Sequence, residues 1–212
     1  ELEVQLLVSE AKEIIAKFSV IKSEYSFDEI ELNGPPFNGT IFVSGDIINS
    51  TDKSYFENIT YKGIGQRQMY DRRDGGKWIN IDAYLFDAYF SDGLISEIQI
   101  NPEFTLDQAK KEADKYSILI GQLPTALRKD VKTVWIHKGL EAYGGGNNNL
   151  LIHTGMTDIY EVDGSGIVEE ALIHEAAHTS IDSYHYPNEK WIQAVNKDGC
   201  YISDYASDHP QR

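Results

Sequence analysis

The chain has 212 residues, 41% hydrophobic and 25% charged, a balance that fits a globular domain and excludes disorder or coiled coil as the dominant state. Nineteen Lys and Arg against 34 Asp and Glu give a formal charge of −15. Such a surface repels phosphate backbones and anionic lipid, so no nucleic-acid partner is expected, and no stretch approaches the ~20 apolar residues of a membrane span.

Leu2, Leu6, Leu7, Ala11, Ile14, Ile15 and Phe18 recur at three- and four-residue steps, which predicts an amphipathic helix ending near Ser19. Asn33-Gly34-Pro35-Pro36 marks a turn. Strands are expected over residues 39–43, 54–61, 66–70, 78–90 and 94–100, with hairpin turns at Asp74-Gly75-Gly76 and Ser91-Asp92-Gly93. Residues 105–122 read as a helix capped by Thr105 or Asp107 and stopped at Gly121 before Pro124. Residues 132–137 form a short strand, 143–149 a mobile polar loop, and 150–153 and 158–162 two more short strands. After Asp163-Gly164-Ser165-Gly166 a helix is expected over 167–183, then a last one over 189–195. The class is α+β: a mostly antiparallel β front, residues 1–103, and an α/β back, residues 104–212, as two regions or one continuous domain.

A single Cys200 permits no intramolecular disulfide and has no charged neighbour to activate it. Three N-x-S/T sequons crowd one stretch, at Asn38, Asn49 and Asn58, and point to a secreted glycoprotein. The start at Glu1 is the one expected of a processed mature chain or of a trimmed one.

The chemistry lies in His174-Glu175-Ala176-Ala177-His178. Residues four apart on a helix lie within about 40° of one face, so both imidazoles can reach one ion. Glu175 projects beside it, placed to take a proton from the attacking water. This is the HExxH arrangement, with Zn2+ as the expected cofactor and Glu175 as general base. Val168, Ala171, Leu172 and Ile181 can bury the opposite face, and residues 150–153 could form the edge that holds an extended peptide. Asp182, four past His178, suits a carboxylate that orients that imidazole. His185 stands seven past His178, and Asp204, Asp208 and His209 in the tail can fold back, so these are the in-chain candidates for a third ligand. Tyr184 and Tyr205 are candidates for stabilising the transition state. His137 and His153 fall on expected strands and read as packed residues. The Gly-Gly-Gly-Asn-Asn-Asn run lacks the Lys-Ser/Thr of a phosphate loop.

Over residues 132–212 the chain resembles the zincin metallopeptidases, with short strands, a Gly-rich loop and an HExxH helix in that order. From Asn38 onward it is similar, more narrowly, to a group of secreted zincin-like proteins. The likeness rests on Val134-Trp135-Ile136-His137-Lys138-Gly139, on the run from Gly144 through Gly155, on His174 through Asp182, and on Ile202-Ser203-Asp204-Tyr205-Ala206 followed by His209-Pro210. The resemblance implies an active-site helix over a short mixed sheet, a peptide or protein substrate, and hydrolysis outside the cell. In the glutamate-zincin branch a later helix supplies the third zinc ligand. Here that helix would begin about Gln211-Arg212, so the third ligand is His185, Asp204, His209 or a residue beyond Arg212. The alternative is a non-catalytic extracellular glycoprotein that uses the same fold to bind a protein partner.

Overall fold

The computed structural model describes residues 48–49, 51–162, 167–185 and 188–210; the expected N-terminal helix, the strand at 39–43 and the Asn38 sequon lie outside them. The described residues form an α+β fold around one mixed sheet. Its strands are β1 (Phe56–Asp71), β2 (Lys77–Phe90), β3 (Ile95–Ile100), β4 (Thr133–His137), β5 (Gly144–Gly146) and β6 (Asn149–His153), in the order β1-β2-β3-β4-β6-β5. β3, β4 and β6 run parallel, and the remaining neighbours pair antiparallel. Parallel pairing of β3 with β4 carries the sheet across residues 101–105, where composition shifts.

The two strands expected at 54–61 and 66–70 are one, β1, sixteen residues long. Gly63, at φ +100, sits in an irregularity of the ladder, and a Cβ on Gly65 would meet Leu85 Cδ1 at 2.7 Å. The turn into β2 places Asp74, Gly75 and Gly76 at φ 54, 85 and 81, as the Asp-Gly-Gly signal requires.

Helix α1 (Leu106–Gln122) begins in a capping box: Thr105 Oγ1 accepts from Gln108 N, and Gln108 Oε1 accepts from Thr105 N. It crosses from β3 to β4, lies against β1, β2 and β3, and buries Ala109, Ala113, Tyr116 and Ile120 in the main core. After it, a short turn α2 (Thr125–Arg128) ends on Arg128. That guanidinium, 1% exposed, pairs with Asp92 at 2.6 Å, donates to Leu123 O and lies over the Tyr55 and Phe90 rings. On the other face of the sheet the β1–β2 hairpin folds over, packing Met69, Ala83 and Leu85 with Trp135 in a second small core.

Three expectations are corrected in the back half. Residues 143–149, read as a mobile loop, form β5 and a tight hairpin into β6, with Asn147 and Asn148 at φ 51 and 60. Residues 158–162, read as a strand, are the end of helix α3 (Thr154–Val162). Thr157 holds α3 down, since its hydroxyl bonds the phenols of both Tyr116 and Tyr143. The long helix expected over 167–183 ends earlier, as α4 (Val168–Ser180), with a turn α5 (Asp182–His185) after it. Two short helices close the fold, α6 (Glu189–Asp198) and α7 (Asp204–Asp208). No described helix is long and apolar enough to cross a membrane.

Candidate functional site

Helix α4 carries the HExxH run. Val168, Ala171, Leu172 and Ala176 are buried in the main core, and Glu169 and Glu170 occupy the first turn, where acidic side chains suit the helix dipole. Ile181, expected on the same buried face, is half-exposed past the helix end. The face turned from the core presents His174, Glu175 and His178 to a cavity of about 540 Å³. Gly145 of β5 supports this face closely: a Cβ there would lie 2.8 Å from Glu175 Cα. Thr179 stitches the two elements, accepting from Gly146 N and donating to Asn149 O. β5, not β6 as the sequence suggested, is the terminal strand of the sheet beside the cavity.

The two imidazoles converge, with His174 Nε2 and His178 Nε2 3.0 Å apart and the rings edge to face. His178 Nδ1 meets Asp182 Oδ2 at 2.6 Å. Donation from Nδ1 fixes the tautomer and leaves Nε2 as the lone-pair nitrogen, the form a metal takes. Asp182 therefore stands where a carboxylate orients the His178 ring.

The tail closes the cavity. Ser203 caps α7 by accepting from Ala206 N, which directs Tyr205 and His209 inward. Tyr205 Oη lies 3.2 Å from His178 Nε2, its ring packs on His174, and the His209 ring lies 4.7 Å from that of Tyr205. The other candidates lie apart. His185 stacks on Trp191, and Tyr184 is exposed, with Lys129 over its ring. Asp204 and Asp208 belong to α7 but do not line the cavity. Asn58 is exposed on β1, and Asn49 is half-buried, its amide oxygen accepting from the Thr51 hydroxyl and amide N–H. Cys200 is exposed.

His137 and His153 are fully buried, stacked at 5.2 Å, and face the β1–β2 hairpin rather than α4. Their Nδ1 atoms meet Asn101 Nδ2 and Lys138 O, each at 3.0 Å. Burial lowers both pKa values, that of His137 to about 4. They are core groups of the hairpin layer, distinct from the α4 cavity.

Reading the sequence did not reveal Arg72, Tyr143 or Tyr160 as cavity residues. Burial first, and then the Glu175 carboxylate, raise the Tyr160 pKa. Nothing local marked Arg72 or Tyr160, because the hairpin and α3 bring them in from a distance, while Tyr143 directly precedes β5; Gly145, inside a glycine run before an Asn-Asn turn, was the one readable signal.

Two imidazole nitrogens on one tetrahedral zinc lie about 3.3 Å apart, so the observed pair needs only a few tenths of an ångström of opening to hold one. Among the described residues, no three His, Cys, Asp or Glu side chains converge as a metal-holding group. The spacing of the pair is thus one that a zinc ion could accept. Comparison with family models, curated proteins and solved structures returned no significant match.

Proposed function

We propose that the chain is a zinc-dependent peptidase of the zincin type, acting on peptides or proteins outside the cell. The observation that carries the reading is the convergence of the two Nε2 atoms, 3.0 Å apart, in a cavity shared with Glu175 and beside the terminal strand β5. His174 and His178 hold the Zn2+, with His209 or a residue beyond Arg212 as third ligand. A bound Zn2+ supplies Lewis acidity, bringing the pKa of a water toward ~7 and polarising the substrate carbonyl. Glu175 accepts the proton of the attacking water and delivers it to the leaving amine. Tyr205 donates a hydrogen bond to the oxygen that gains charge, and β5 pairs with the extended substrate backbone.

Glu175→Gln is the test. It keeps about one zinc per chain by elemental analysis and lowers peptide hydrolysis by roughly 10²- to 10⁴-fold. Undiminished hydrolysis in that variant overturns the mechanism. A second reading, an extracellular glycoprotein that keeps this fold for binding or assembly, is favoured by the sequon at Asn58, which is exposed on β1. Chelator-sensitive cleavage of an unstructured peptide decides against it.

A further inference from the structure

Four arginines are described. Arg67 pairs with Glu97, Arg73 with Asp71 and Glu103, and Arg128 with Asp92. Arg72 alone among them has no carboxylate within ion-pair distance, in a chain with 34 acidic residues against 19 basic ones. Its neighbours do not spare a partner, because Arg73 takes the Asp71 carboxylate with both Nε and Nη2. Arg72 nevertheless has a fixed place. Its Nη1 donates to Ala142 O at 3.1 Å and to Tyr143 O, both on the approach to β5, which anchors the guanidinium on neutral carbonyls.

Anchored there, Arg72 lines the same cavity as His174, Glu175 and Tyr205, and it is the only Lys or Arg among the described lining residues. Nε and Nη2 have no hydrogen-bond partner among the described residues, and two adjacent N–H donors of a guanidinium match the two oxygens of a carboxylate. A chain this acidic turns anions away at its surface, so a lone cation inside the cavity makes that wall locally attractive to them.

We infer that Arg72 is a specificity-determining residue that binds a carboxylate on the substrate, an inference that rests on the cavity receiving a peptide. The carboxylate can come from the peptide C-terminus, which makes the activity a carboxypeptidase-like one, or from an Asp or Glu side chain.

The test is equilibrium binding by calorimetry on the full chain, in the presence of a chelator so that no metal competes for the carboxylate. The probes are N-acetyl-trialanine as free acid and as amide, and N-acetyl-Ala-Glu-Ala-amide beside its Gln counterpart. A preference of roughly 10- to 100-fold for the free acid over the amide assigns the C-terminal carboxylate. The same preference for Glu over Gln assigns the side chain. In either case Arg72→Gln abolishes the preference and Arg72→Lys keeps part of it, while thermal unfolding confirms that both variants fold. Equal binding within both pairs, no binding of any probe, or a preference that survives Arg72→Gln overturns the inference. The wild-type comparisons need no variant. A chain that binds carboxylates through Arg72 but hydrolyses no peptide keeps this inference and loses the peptidase reading. A chain that cleaves peptides with no Arg72-dependent preference does the reverse.

Discussion

Gly145→Ala probes the contact on which the site is built. A methyl at Gly145 would sit on the backbone carbonyl of Glu175, 2.6 Å from its carbon, where ordinary contact begins at 3.4 Å. Strand β5 and helix α4 must therefore part by about 0.8 Å on that carbon contact alone, and by more on the oxygen. The shift pulls on the Thr179 hydrogen bonds to Gly146 and Asn149, at 2.8 and 2.9 Å. Overpacking of this kind costs about 1–3 kcal/mol, or roughly 2–12 °C in Tm for a chain of this size. Because α4 also carries His174 and His178, the substitution weakens zinc binding as well. Thermal unfolding monitored by circular dichroism, with zinc affinity by dye competition, reads both effects. An unchanged Tm together with unchanged zinc affinity would refute the argument that this backbone contact sets the position of the histidines.

Asp182→Asn removes the carboxylate that orients His178 and lowers zinc affinity by roughly 10- to 100-fold; an equal Kd in the same competition assay contradicts that role. Arg128→Ala leaves Asp92 without its ion-pair partner and strips two aromatic rings of their cation, at a cost of about 3 kcal/mol in urea unfolding. Acidification acts through His137, whose pKa burial lowers from 6.5 to about 4. Between those values the unfolded chain holds a proton that the folded one lacks. Stability is thus full above pH 6.5 and falls by about 3 kcal/mol on the way to pH 4. Burial raises the Asp71 pKa, but its hydrogen bonds from Arg73 outweigh this and hold the carboxyl at about 2, so a further loss follows from 3.8 down to 2. A urea midpoint that stays flat from pH 6.5 to pH 4 contradicts the buried neutral imidazole.

What the sequence made legible follows from the range of the forces involved. Helix α1 could be read because its cap, its period and its stop are all local, from Thr105 to Pro124. The HExxH pair could be read because a helix fixes the angle between His174 and His178 without help from elsewhere. Strand β5 was missed since three glycines carry no side-chain alternation, and their strand state comes from pairing with β6 and packing under Glu175. Helix α3 was missed for a related reason: Thr157 is bonded by Tyr116 and Tyr143, and no periodicity encodes those two phenols. The position of Arg72 depends on how a hairpin bends over a sheet, and nothing in its neighbourhood announces it.

An open sheet of six strands has two borders, and here they are unequal. Along β1 the border is long, but it is broken by ladder irregularities near Phe56 and Tyr61, studded with Glu57, Lys62 and Arg67, and marked by a sequon at Asn58. Such features discourage a foreign strand from annealing. At β5 the border is three glycines long, with no side chain to obstruct an incoming backbone. A strand joining along the first half of β1 would lie across the sheet from the histidines, whereas one joining at β5 lies beside them. Any polypeptide that extends this sheet at β5, a second copy of the chain included, therefore lies beside the α4 cavity, and under the peptidase proposal assembly through that border would exclude turnover.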